Sequence, residues 1–202
     1  MRRTSTVTVL CCLAATTAAA MGVAQRFVLK PLPVPEARGV LARLDTSLLP
    51  DGAKGLQFVR GQVFRVETTG KPEVSVLPVQ FYTAEPGLVQ GIDRRTDLCG
   101  LLLVDAAGKT RFEPLADNGT DGAVQCSGVQ GVGLARPTGD HPEVLMLFRV
   151  HTVHRSWSDP YAVTWSGNDG RYVMEHLSLP AGMATSDTLT IPQLRRWVNA
   201  GK

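Results

Sequence analysis

"VLMLFRVHTVHRSWSDP", residues 144–160, is the stretch on which the fold class turns. Val144, Met146, Phe148 and Val150 alternate with Leu145, Leu147, Arg149 and His151. Successive side chains of a strand point to opposite faces, so this period of two predicts a β-strand over 143–155. A helix would bring His151 and His154 onto one face, where they could share a metal ion. A strand separates them, and no metal is expected here. The second face runs Leu145, Leu147, Arg149, His151, Val153, Arg155: it begins apolar and turns basic. That is the pattern of a strand that leaves a core and emerges at a rim. Asp159-Pro160 favours a turn, so residues 155–161 are expected to connect this strand to the next. Trp157 reads either as a lid on the core or as an exposed aromatic anchor beside Arg155. Trp and Arg are enriched at binding hot spots, which makes Arg149, His151, Arg155, Trp157 and Asp159 the candidate binding residues.

Toward the C-terminus, strands are expected at 161–166 and 171–179. The "SGNDGR" between them carries Asn168-Asp169-Gly170, a strong hairpin signal. In "TIPQLRRWVNAG" the period changes. Thr190 can cap, Gln193 follows three residues on, and Pro192 lies in the first turn. A short helix with Leu194, Trp197 and Val198 on one face is expected.

Toward the N-terminus the pattern stays β. Residues 98–115 read as a hairpin turning at Asp105–Gly108, and 124–136 as a glycine-broken strand. Leu56, Phe58, Phe64 and Val66 share one parity. Residues 73–83 are rich in β-branched and aromatic side chains, with Pro78 predicting an edge strand or a bulge. Residues 40–55 suit either a short helix or a strand, followed by a turn at Pro50-Asp51-Gly52. The alternate prolines of "KPLPVPEARG" (30–39) predict an extended connector. The fold class expected is mainly β: an antiparallel sheet, sandwich or open and barrel-like, with a short C-terminal helix. Residues 25–55 are expected as an extended Pro-rich segment and 56–202 as a single β-rich domain.

Composition agrees. Apolar and aromatic residues make up 44% of 202, enough for a core and too many for a disordered chain. Twenty Gly and thirteen Pro suit many turns between short strands. The net charge is +3, of which Arg2 and Arg3 supply two units. A nearly neutral remainder argues against nucleic-acid binding driven by bulk charge.

"MRRTSTVTVLCCLAATTAAAMGVAQ" opens with two arginines, continues with an apolar run and ends in small residues. This is the pattern of a cleavable secretory signal over 1–24, cut after Ala20 or Ala24. The expected localisation is therefore exported, periplasmic or extracellular, with no membrane span after cleavage. Cys11 and Cys12 leave with the signal. Cys99 and Cys126 remain, and an even pair in an oxidising compartment predicts a disulfide.

Other motifs are weak. "DNGTDG" (117–122) lacks the middle ligand and the closing glutamate of a calcium loop, although Asn118 matches a glycosylation sequon. The glycines of "CSGVQGVG" (126–133) are out of order for a phosphate loop. Arg94, Arg95 and Asp97 are expected as a solvated ion pair in a loop. The histidines are His141, His151, His154 and His176, none of them in a local hydrolase motif. The leading expectation is an exported non-enzymatic β-rich domain, without cofactor, that contacts another protein or an envelope component in an inhibitor- or immunity-type role. An exported hydrolase with dispersed catalytic residues, or a small-ligand-binding β-domain, is the alternative.

Overall fold

The computed structural model describes residues 24–87, 90–115, 124–180, 183 and 188–201. The expected signal segment, the calcium-like loop and the Asn118 sequon lie outside the described residues, apart from position 24. In chain order the elements are β1 (Gln25–Pro31), α1 (Val34–Ala42), a 3-10 turn at Thr46–Leu48, β2 (Lys54–Phe58), β3 (Phe64–Thr68), β4 (Lys71–Pro86) and β5 (Asp93–Asp105). They continue with β6 (Thr110–Pro114), β7 (Gln125–Leu134), β8 (Thr138–Gly139), β9 (Val144–His151), β10 (Ser156–Ser166), β11 (Arg171–His176) and α2 (Ile191–Asn199).

The strands form two antiparallel sheets. The larger runs β6-β5-β4-β3-β1-β8, with β2 also paired to β4, and it curls into half a barrel. The smaller runs β11-β10-β9-β7. Parity explains how they stack. Val74, Val76, Cys99, Leu101 and Leu103 of the larger sheet meet Val144, Met146, Phe148, Val150, Tyr161 and Val163 of the smaller in one buried cluster. The opposite parity faces outward in each sheet and is covered by a helix. Leu77, Val79 and Leu102 pack with Ala37 and Val40 of α1. Leu145, Leu147 and Ala162 pack with Leu194 and Val198 of α2. The order of layers is thus α1, large sheet, small sheet, α2. Covering both faces is why β5 reads as the unbroken apolar run "LCGLLLV" instead of an alternation. Each such buried side chain contributes about 1.5–3 kcal/mol of transfer free energy.

The fold class and the C-terminal helix match the sequence. Thr190 Oγ1 accepts from the Gln193 N–H, and the Gln193 side chain returns to the Thr190 N–H, completing a capping box. Close docking of α2 requires glycine in β7, since a Cβ on Gly133 would sit 2.6 Å from Ile191.

Three local expectations are corrected. Residues 30–39 are not an extended connector, nor is 25–55 extended throughout: β1 pairs with β3 and β8, and the alternate prolines open a helix. Pro35 sits in the first turn of α1, where no N–H is needed, and Glu36 faces the positive end of the helix dipole. Pro78 lies inside β4, a central strand. It falls where the partner of β4 changes from β3, paired up to Val76, to β2, paired from Val79. Asp159-Pro160 is not a turn either. Both residues belong to β10, with Pro160 opposite Leu147 and just beyond the first β11 pair, Tyr161–His176. The reversal falls earlier, at residues 152–155, where the Thr152 N–H bonds the Arg155 carbonyl.

The smaller sheet is fastened to the larger at both of its edges, β7 and β11. The expected disulfide is present and joins Cys99 on β5 to Cys126 on β7. At the other margin Arg111 Nη2, on β6, donates to the main-chain oxygen of Tyr172 on β11. Among the described residues no helix is long and apolar enough to cross a membrane.

Candidate functional site

The rim expected at residues 149–159 is distributed over two faces. Arg149 is exposed and its Nη2 donates to Ser156 Oγ at 3.3 Å. Arg149 and His151 share parity with Leu145 and Leu147, the face toward α2. Trp157 lies opposite Val150 in register and is half-buried against the inter-sheet core, on the other face. Arg155 holds its guanidinium 5.0 Å from the centre of the Trp157 ring. Asp159, expected among the contact residues, is only 4% exposed, and its Oδ1 lies 2.9 Å from His176 Nε2. His154 follows β9 in the exposed turn, away from His151. Among the described residues there is no group of three His, Cys, Asp or Glu able to hold a metal ion.

His151 belongs to a different constellation. β7 bulges between Cys126 and Gly128, and the bulged Ser127 places its Oγ 2.8 Å from His151 Nδ1. They border a pocket of about 290 Å³ with Gln57, Gln80, Tyr82, Arg95 and Asp97. Arg95 lies 4.2 Å over the Tyr82 ring and 2.7 Å from Asp97. The expected ion pair is therefore formed, but within β5 and not in a loop. It is exposed and worth at most about 1 kcal/mol. A serine nucleophile needs a base that a third group orients. Among the described residues no carboxylate hydrogen-bonds His151, and the Gly128 N–H points to Cys126 Sγ at 3.4 Å.

A cleft of about 450 Å³ lies at the other end of the smaller sheet. The start of β4, the β5–β6 hairpin, the β8–β9 connection and the β10–β11 hairpin surround it. Its aromatic wall is built by cross-strand pairing. Trp165 faces Tyr172 across the hairpin, ring centres 5.1 Å apart and edge to face. His141 stacks on Trp165 at 4.6 Å, with the planes 15° apart. Charged groups complete the lining: Glu73, Asp105 and Asp169 against Lys109, Arg111 and Arg171. Asp105 accepts the Ala107 and Lys109 N–H groups and so shapes the β5–β6 turn. Asp169 and Arg171 are half-exposed and 3.9 Å apart.

Two buried atoms belong to residues that line this cleft. Arg111 Nη1 and the Tyr172 hydroxyl are buried without a hydrogen-bond partner; among the described residues only Arg65 Nε, beneath α1, shares that condition. A buried polar group left unsatisfied costs about 1–3 kcal/mol. Such groups call for a physical account, and a ligand site supplies one. Burial, with a smaller contribution from the Glu73 carboxylate, pushes the Tyr172 phenol well above its ordinary range. The hydroxyl therefore keeps its proton and remains a donor. The cleft thus offers aromatic faces and charged groups of both signs, with two unpartnered donors closed into its walls. Glu73, Arg111, Trp165 and Tyr172 were not singled out from sequence. The hairpin signal at Asn168-Asp169-Gly170 was the available clue, because closing that turn sets Trp165 opposite Tyr172.

Comparison with protein-family models, with curated proteins and with solved structures gives no match for this chain.

Proposed function

We propose that this chain is an exported, non-enzymatic binding domain that contacts an envelope component and holds it in the cleft between the β5–β6 and β10–β11 hairpins. One observation carries the reading: Arg111 and Tyr172 each bury an unpartnered polar atom in a cleft that also presents the Trp165–His141 stack. Concave sites that combine aromatic walls with a few convergent polar groups are the usual form of ligand pockets. The preference for binding over turnover rests on that lining, which supplies stacking and hydrogen bonding and not a nucleophile beside a base. The signal pattern of residues 1–24 and the Cys99–Cys126 bridge support export.

Native mass spectrometry of the folded protein, equilibrated with fractionated envelope extract, tests this. A stoichiometric added mass should be retained by the wild type and lost in Trp165→Ala. Retention undiminished by that change would place the ligand elsewhere and defeat the proposal. Intact mass of exported material should show a chain beginning at Met21 or Gln25.

The 2.8 Å contact between Ser127 and His151 favours a second reading, a hydrolase acting at the smaller pocket. A serine-directed fluorophosphonate separates the two. Binding alone predicts no labelling. Labelling of Ser127 that His151→Ala abolishes would establish the hydrolase instead.

A further inference from the structure

We propose that the occupant of the cleft is a neutral saccharide; the inference rests on the binding reading above. Charge and surface type together eliminate the other ligand classes. Three carboxylates and three cations line the cleft, so it carries no excess of either sign. A site for phosphate or a polyanion concentrates positive charge, and here Glu73, Asp105 and Asp169 oppose it. A cationic amine would suit an aromatic wall with a carboxylate, but it would meet Arg111, Lys109 and Arg171. A wholly apolar ligand would cover Arg111 and Glu73 without giving either a hydrogen bond, which is costly. What remains is a neutral molecule with both an apolar face and many hydroxyls.

A pyranose ring has that form. Its C–H face lies flat on aromatic rings, the role open to the exposed Trp165–His141 stack; Trp165 is 37% exposed. Its hydroxyls donate and accept at once, so a lining with mixed signs serves them better than a lining of one sign. The Arg111 guanidinium donates to ring or hydroxyl oxygens, and Glu73 accepts from a hydroxyl. Hydrogen bonds to charged partners are stronger and more directional than neutral ones, which fits these two ionised side chains to hydroxyl recognition. The Trp165 ring has His141 on its face and Tyr172 at its edge, so the platform is in place before any ligand arrives.

The test is a panel presented to the folded protein by calorimetry and by saturation-transfer NMR. It contains neutral hexose and N-acetylhexosamine oligosaccharides, uronic-acid oligosaccharides, inorganic phosphate, indole carboxylates and short peptides. Neutral oligosaccharides should bind, with saturation transferred chiefly to their ring C–H protons. Trp165→Ala and Glu73→Gln should each weaken binding by about tenfold or more, and Trp165→Phe by less. Thermal melts and circular dichroism check that each variant is folded. If Trp165→Ala does not fold, Trp165→Phe and Glu73→Gln carry the test. Uronic-acid preference of tenfold or more, or binding of peptides or indole carboxylates in place of sugars, would overturn the saccharide while leaving the binding reading intact. No Trp165-dependent binding, either in the panel or in the envelope fractions, would overturn both.

Discussion

Removing the Cys99–Cys126 bridge should cost this protein a large share of its stability, and the cost can be divided in two. The cysteines are 27 positions apart, so the chain-entropy relation gives about 3–4 kcal/mol for closing that loop in the unfolded chain. Both side chains are buried, at 0% and 2% exposure, inside the cluster between the sheets. Cys99→Ala with Cys126→Ala also deletes two sulfurs from packed surroundings, adding about 1 kcal/mol for each methyl-sized void. Wild type in reductant keeps the sulfurs and loses only the loop contribution; the double variant loses both. Urea unfolding of the oxidised, reduced and double-alanine forms therefore gives a ladder, with steps of about 3–4 and about 2 kcal/mol. For a domain of this size the full loss lowers the melting temperature by roughly 10–20 °C. Reduced and oxidised forms within about 1 kcal/mol of one another would refute the loop argument. Two freely alkylated thiols in natively exported protein would refute the bridge itself.

Gly100→Val should destabilise by about 1–3 kcal/mol, because a Cβ there would lie 2.4 Å from the Phe112 ring, which packs edge to face on Phe81; an unchanged urea midpoint would count against the packing of β5 on β6. The raised Tyr172 phenol makes stability fall at alkaline pH. Below the ordinary value of 10.0 both states are protonated and the contribution is complete; above it the unfolded chain ionises while the folded one holds its proton. Unfolding midpoints followed upward through that value should decline less steeply in Tyr172→Phe, and identical slopes would show that the phenol is not held up by the fold.

The strands were legible where one physical signal decided them. The β9 alternation, the Asn168-Asp169-Gly170 turn and the Thr190 capping box are local signals. Each works through neighbours only a few residues apart in sequence. The errors occur where tertiary context chose between two local options. Prolines at alternate positions suit both an extended connector and the first turn of a helix, and only the apolar face that α1 lays on Leu77, Val79 and Leu102 selects the helix. Pro78 is tolerated in a central strand because β3 stops and β2 starts beside it. No residue near Pro78 in sequence announces that exchange of partners.

The site was hidden for a related reason. Sequence draws attention to dense runs of polar and aromatic residues, and 149–159 is the densest here. A strand distributes such a run over two faces, and the structure does so: Arg149 lies on the side of α2, Trp157 on the side of the core, and Asp159 beneath the surface. The cleft is assembled instead from single residues on separate strands, Glu73, Arg111, His141, Trp165 and Tyr172, each inconspicuous where it stands. The Trp165–Tyr172 pair alone was within reach of a local argument, through the register of its hairpin. Arg111 joins it because β6 and β11 are edges of two different sheets and its side chain reaches across to the Tyr172 carbonyl, while Glu73 comes from the start of β4. A guanidinium that holds two sheets together with one nitrogen and buries another beside an aromatic wall couples the cleft to the fold. Filling the cleft should therefore also tighten the junction between the β6 and β11 edges.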